Sequence, residues 1–220
     1  MALVRDRAAW LEHLCAEADG EIAHLGCADS PYTAELLAAG LLLHERLLGV
    51  CRVTGIDVDP GGLSVLRSRW PQARFVEIDL TAEVPIEEQG RYALVVAGEV
   101  LEHVADANAF LLGCQRLLVG GGRLCVTVPN ACSPKIGLRS LVGRESVHSD
   151  HRVYYGPRTL VRTLSGAGFT VESMVSCFTP LAGRGGRFVF NPLLRAAHRA
   201  FHGPVGDGLI ALARAQHADR

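Results

Sequence analysis

Tyr92-Ala-Leu-Val-Val-Ala-Gly-Glu-Val-Leu-Glu-His103 is the stretch on which the reading of the whole chain turns. Its first half, Tyr92 to Ala97, is a short apolar run rich in valine. It is too short for a helix and predicts a strand buried on both faces of a parallel sheet. Its second half sets Glu99, Glu102 and His103 just beyond the strand's C-terminal end, where open α/β sheets bind ligands. Helical spacing would put the three side chains on one face, pointing into one pocket.

Working outward toward the N-terminus, Arg74 to Ile78 reads as a strand ending at Asp79 and Leu80, and Cys51 to Ile56 as another ending at Asp57. Between them Pro60 opens a helix that stops before Pro71. Glu21 to Leu25 reads as the first strand. Gly26 to Pro31 is the turn after it, with Ser30 capping a helix that begins at Pro31 and runs toward Leu47, loosened at Gly40. Ala8 to Ala18, apolar at helical spacing, predicts a covering helix.

Toward the C-terminus, Asn108 to Leu118 predicts a helix closed by Gly120-Gly121-Gly122, and Arg123 to Val128 a strand. A long loop of about residues 130–156 follows and carries His148 and His151. Pro157 to Leu164 reads as a helix, Phe169 to Cys177 as a strand, a segment near Asn191 to Phe201 as a helix, and Gly208 to Ala213 as a last strand. Strands alternating with helices imply an α/β, doubly wound, mostly parallel sheet with right-handed crossovers. No internal repeat and no linker divides the chain, so one domain over residues 1–220 is expected.

A strand, a small-residue turn and a helix start, with a carboxylate ending the next strand, form a nucleotide-binding arrangement. Of the three glycines expected in a dinucleotide fold only Gly26 is present, which disfavours NAD. The ordered set is more telling. Leu25-Gly26-Cys27, Gly55-Ile56-Asp57, Glu77-Ile78-Asp79-Leu80, Glu99-Val100-Leu101-Glu102-His103-Val104, Gly121-Gly122-Arg123-Leu124, Val128-Pro129-Asn130 and Gly166-Ala167-Gly168-Phe169 occur in sequence at suitable spacing. Together they resemble the class I S-adenosylmethionine-dependent methyltransferases over roughly residues 20–178.

That resemblance implies a seven-stranded Rossmann-like sheet with the last strand antiparallel. It implies cofactor contacts at Gly26, Cys27, Ala28, Asp57, Val58, Asp79, Leu80 and Gly98, with Asp57 on the ribose and Asp79 and Leu80 around the adenine. The chain departs from the family pattern at His24, where an acidic residue is usual, and at Ala28 and Ser30, where glycines are. The Glu99-x-x-Glu102-His103 run, then Pro129-Asn130, then Asp150-His151, also resembles the metal-assisted 2′-O-methyltransferases of small RNA. Its first part resembles the ubiquinone-pathway O-methyltransferases. The resemblance implies a Mg²⁺ or Mn²⁺ site formed by Glu99, Glu102, His103 and His151, an ion suited to carboxylates and imidazole. His148, His151 and His103 are the candidate bases, Asp150 would orient the His151 ring, and His148 to Tyr155 is expected to close over the acceptor as a lid.

Composition narrows the setting. Apolar residues make up 49% and charged residues 20% of the 220, which describes a globular chain. The formal net charge of −1 argues against bulk binding to nucleic acid while leaving a local basic patch open. No stretch approaches the roughly 20 apolar residues that span a bilayer, and no signal-peptide core begins the chain, so the expected address is the cytoplasm. The seven cysteines are scattered and never form a Cys-x-x-Cys pair, the mark of reduced core thiols. Near the C-terminus, Arg184, Arg187, Arg195, His198, Arg199 and His202 stand among phenylalanines and leucines. They read either as a cationic lip for an anionic or lipid-like substrate or, preferably, as the solvated face of an amphipathic helix.

The expected activity is transfer of a methyl group from S-adenosylmethionine to an oxygen of a small acceptor. An N-directed methyltransferase and a non-catalytic binding or partner subunit of the same fold stand beside it. A nucleotide-dependent oxidoreductase is a weaker alternative that the missing glycines oppose. Nothing in the sequence names the acceptor or the oligomeric state.

Overall fold

In a computed structural model the described residues are 1–4, 6–143, 148–177 and 206–216. Helices flank an eight-stranded sheet of order β1-β7-β8-β6-β5-β2-β3-β4. The strands are β1 (Ala2–Val4), β2 (Ile22–Leu25), β3 (Val53–Asp57), β4 (Phe75–Glu77), β5 (Tyr92–Gly98), β6 (Leu118–Pro129), β7 (Phe169–Cys177) and β8 (Gly208–Ala215). The helices are α1 (Arg7–Ala16), α2 (Thr33–Ala39), α3 (Leu43–Leu48), α4 (Pro60–Arg69), α5 (Ala107–Leu117), α6 (Pro134–Leu141) and α7 (Pro157–Gly166). All pairings are parallel except those of β8, which runs antiparallel to both β6 and β7. The doubly wound sheet expected from sequence is there, with β1 as an eighth strand. Three residues satisfying the free edge of β7 carry no pattern of their own.

The Tyr92–Ala97 run is buried on both sides of the sheet. Leu94 and Val96 pack with Leu11, Cys15 and Leu47 beneath α1 and α3, while Val95 and Ala97 pack with Leu111, Leu160 and Leu164 beneath α5 and α7. Alternate side chains point to opposite faces, so both faces demanded apolar residues. Arg46 of α3 pairs with Glu12 of α1 at 2.6 Å, tying the covering helix to its neighbour on the same face of the sheet.

Three local expectations are corrected. Ser30 caps no helix: its hydroxyl donates to Asp59 Oδ2 at 2.6 Å, and α2 starts at Thr33 behind Tyr32, which makes no side-chain cap. The glycine triplet does not close α5, since β6 begins at Leu118 directly after the helix. The pairing steps from Tyr92↔Leu118 to Leu94↔Arg123, so Gly120 to Gly122 form an irregularity in the strand, with Gly121 at φ 74°. The 130–156 loop contains a helix, α6. The predicted helix near Asn191 to Phe201 and the basic lip lie outside the described residues.

Strand order reverses between β2 and β5, which pair as His24↔Val96 and Leu25↔Ala97. This switch point opens a crevice at the C-terminal strand ends.

Candidate active site

Four strand ends supply the crevice, a cavity of about 810 Å³. From β2 comes Gly26, held at φ 68° with its amide donating to Ile56 O at 2.9 Å. A Cβ there would stand 2.6 Å from Val100 Cγ2, so both the backbone angle and the space require glycine. From β3 comes Asp57. Its Oδ2 accepts from the Ala28 amide at 2.8 Å, and its Oδ1 from the Val58 and Asp59 amides at 2.8 and 3.1 Å. One carboxylate thus welds the turn after β2 to the turn after β3. From β4 comes Asp79, whose carboxyl the Thr81 hydroxyl and amide hold below the ordinary range.

Of the residues expected to contact the cofactor, Gly26, Cys27, Asp57, Val58, Asp79, Leu80 and Gly98 all border this cavity. Ala28 is the exception. It is fully buried in the Leu63–Leu66–Phe75 cluster, and its amide is spent on Asp57, so it shapes the turn from behind.

From β5 comes the Glu99–His103 run, and here the expectation of one helical face fails. Residues 101–103 form a turn, and Glu99 takes a left-handed backbone at φ 57°. Glu99 Oε1 lies 2.6 Å from Arg7 Nη1 and accepts from Thr127 Oγ1 at 3.2 Å. Glu102 points the other way. It is 1% exposed, and neither carboxylate oxygen has a hydrogen-bond partner. Burial, and then the charge of Glu99, pushes its pKa up to about 8.

The loop after β6 returns to this point because the Arg152 and Val153 amides donate to the Glu102 carbonyl at 2.8 and 3.3 Å. His151 therefore meets His103 edge to face, ring centres 4.7 Å apart. Ligand atoms of Glu102, His103 and His151 all lie within 4.8 Å of one another. Three of the four expected metal ligands converge, and Glu99, held by Arg7, is not in that group. His151 Nδ1 is buried without a partner, and burial followed by the neighbouring His103 and His148 lowers its pKa. Asp150 does not orient His151 as expected: its backbone oxygen meets His103 Nδ1 at 3.2 Å, and its carboxylate lies 3.7 Å from His148. His148 borders the same cavity.

Sequence reasoning missed Arg7, Asp29 and His44, which also border the cavity. His44 Nδ1 lies 3.1 Å from His24 Nδ1, the rings stacked and both buried. Burial drives the His44 pKa down to about 4 and the His24 pKa well below its usual value, so both are neutral near pH 7. No linear pattern links Arg7 to Glu99 or His24 to His44; only folding brings them together. A second cleft, of about 870 Å³, opens at the opposite strand ends around Arg52, Trp70 and Arg91, away from all these groups.

Comparison with known proteins fits this geometry. The family described as "Methyltransferase domain" matches residues 24–126. The chain is 29% identical over 146 residues to the ubiquinone biosynthesis O-methyltransferase of Albidiferax ferrireducens, covering 64% of this chain and 53% of that protein. It is 25% identical over 186 residues to the enzyme of that name from Acinetobacter baylyi, covering 78% and 73%. The chain thus spans about half the length of the first relative. Among solved structures, the 1,6-didemethyltoxoflavin-N1-methyltransferase of Burkholderia thailandensis, bound to 1,6-didemethyltoxoflavin and S-adenosylhomocysteine, shares the fold. The TM-score is 0.55 at 20% identity, over 96% of this chain and 77% of that one.

Proposed function

We propose that the chain, whose residues 24–126 match the methyltransferase domain family, is a class I S-adenosylmethionine-dependent methyltransferase and that it methylates a hydroxyl oxygen of a small-molecule acceptor. S-adenosylmethionine supplies a methyl group already made electrophilic by its sulfonium. The protein's task is to hold cofactor and acceptor in line and to manage the acceptor's proton. In this reading Gly26 and Cys27 line the methionine end with backbone. Asp57 uses its remaining acceptor capacity on the ribose hydroxyls, and Val58, Asp79 and Leu80 flank the adenine. Gly98 keeps the floor open toward the acceptor.

The observation that carries an oxygen acceptor is the buried, unpartnered Glu102 carboxylate beside His103 and His151. Polar atoms left without partners in the interior are expensive, and a group that fills the place removes the cost. The donor set fits a divalent cation, which when bound would lower the pKa of an acceptor hydroxyl and favour vicinal oxygens such as a catechol. With Glu99 engaged by Arg7, two imidazoles and one carboxylate suit Mn²⁺ better than Mg²⁺. His151, neutral near pH 7 through its lowered pKa, is the chain's own candidate base, with His148 and His103 beside it.

The test is methyl transfer to a panel of catechols, diols and amines, with and without chelator. Transfer to a catechol that stops with chelator and returns with Mn²⁺ supports the reading. Chelator-resistant transfer to amines would replace it with N-methylation, the reaction in the name of the Burkholderia protein. Cofactor binding without transfer to any acceptor would favour a partner subunit.

A further inference from the structure

The cofactor assigned above carries a zwitterion at its methionine end, and this chain has an unusual problem in receiving it. An α-ammonium group calls for a carboxylate, yet position 24 on the first strand of the crevice holds a buried, neutral histidine stacked on another.

The carboxylates bordering the cavity can be taken in turn. Asp57 already accepts three backbone amides, and Asp79 is held by Thr81. Asp59 accepts from Ser30, Gly61 and Gly62. Glu99 is occupied by Arg7 and Thr127. Asp150 accepts from Ser149 and lies near His148.

Asp29 alone has a carboxylate with no hydrogen bond or ion pair among the described residues, and it borders the cavity. It sits three residues past Gly26, in a left-handed backbone at φ 52°, its amide donating to Gly26 O at 3.2 Å. Arg7, Asp57, Glu99 and His103, which border the same cavity, all act on its charge. Burial raises the pKa of Asp29; Arg7 and His103 oppose that, and Asp57 and Glu99 add to it. With Arg7 paired to Glu99, the Asp29 and Asp57 carboxylates leave local negative charge that a bound cationic group would relieve.

We propose that Asp29 is the carboxylate that receives the α-ammonium of the cofactor, taking over at the turn a charge that His24 does not supply. The inference rests on the cofactor reading above, and two probes separate the two. S-adenosylhomocysteine carries the ammonium; 5′-methylthioadenosine has the same nucleoside and no amino-acid end.

Calorimetry on wild type, Asp29→Asn and Asp29→Gly would measure both. Asparagine tolerates the left-handed backbone and removes only the charge, while glycine removes the side chain and any strain. Both variants are expected to bind S-adenosylhomocysteine about tenfold or more weakly, as a lost charge-assisted hydrogen bond implies, and to bind 5′-methylthioadenosine like wild type. Unchanged homocysteine-ligand affinity in Asp29→Asn would overturn the proposal. So would equal loss for both ligands, which would make Asp29 a turn residue only. Wild type that binds neither ligand would remove the cofactor reading itself, and this inference with it.

Discussion

Arg7 Nη1 stands 2.6 Å from Glu99 Oε1 in an ion pair. The contact joins the first residue of α1 to the residue that leaves β5, and so makes the N-terminal helix one wall of the cavity. It also decides what Glu99 can do, because a carboxylate held there is not in the Glu102–His103–His151 group. Arg7→Ala is expected to lower stability by at least about 1 kcal/mol, since the pair is largely withdrawn from solvent, with side chains 18% and 30% exposed. It should also weaken S-adenosylhomocysteine more than 5′-methylthioadenosine. Thermal unfolding and calorimetry measure both, and an unchanged unfolding midpoint would show that the pair holds nothing.

Asp57→Ala should cost more than a ribose contact. Removing the carboxylate strands the Ala28, Val58 and Asp59 amides as well. Nucleoside affinity is expected to fall at least tenfold, about 1.5–3 kcal/mol for a charged acceptor. The unfolding midpoint should drop with it. A folded variant with wild-type affinity for 5′-methylthioadenosine would contradict the ribose role.

Glu102 makes stability depend on pH in a stated direction. Its folded pKa is about 8, above the ordinary value of 4.5. Between those values the folded state keeps a proton that the unfolded state has released. The contribution is whole below pH 4.5 and is lost as pH rises through 8. Glu102→Gln should therefore unfold at a higher temperature than wild type at pH 8.5, by roughly a few degrees. Added Mn²⁺ should stabilise wild type at that pH and leave Glu102→Gln unmoved. Equal midpoints for the two proteins at pH 8.5 would show that the buried charge costs nothing.

The His24–His44 stack works in the opposite sense. Both folded pKa values are lowered, that of His44 to about 4, so the unfolded state binds more protons below pH 6.5. Their contribution is complete above 6.5 and disappears as pH falls toward 4. Phenylalanine can keep the stacked ring while removing one proton site, so His44→Phe should flatten the acid limb of a midpoint-against-pH curve. A limb as steep as that of wild type would place the acid sensitivity elsewhere.

The backbone plan was readable because each part of it is a local pattern. A valine-rich run of strand length had to be buried on both faces, and Phe169 to Cys177 emerges with the same ends in sequence and structure. Gly26 was legible from its place at a strand end, and Asp57 from its place at the next one. Helix ends were less legible, because capping depends on which partner a side chain finds. Ser30 found Asp59 across the crevice, and the glycine triplet relieved a mismatch between β5 and β6 that exists only once the two strands pair.

The site chemistry lay furthest from reach. Glu99, Glu102 and His103 share one short segment, and spacing alone sent them to one pocket. The left-handed backbone at Glu99 instead turns its side chain toward Arg7, while Glu102 faces inward to His151. Sequence by itself determined which strand ends meet at the crevice and that Asp57, Asp79 and Glu99 arrive there with them, because burial periodicity and strand ends are written locally. Which carboxylate is spent on an amide, paired with a guanidinium, or left unpartnered was decided only by the tertiary structure. Hydrogen bonds and ion pairs act over a few ångströms, and the groups that compete for each carboxylate come from distant parts of the chain.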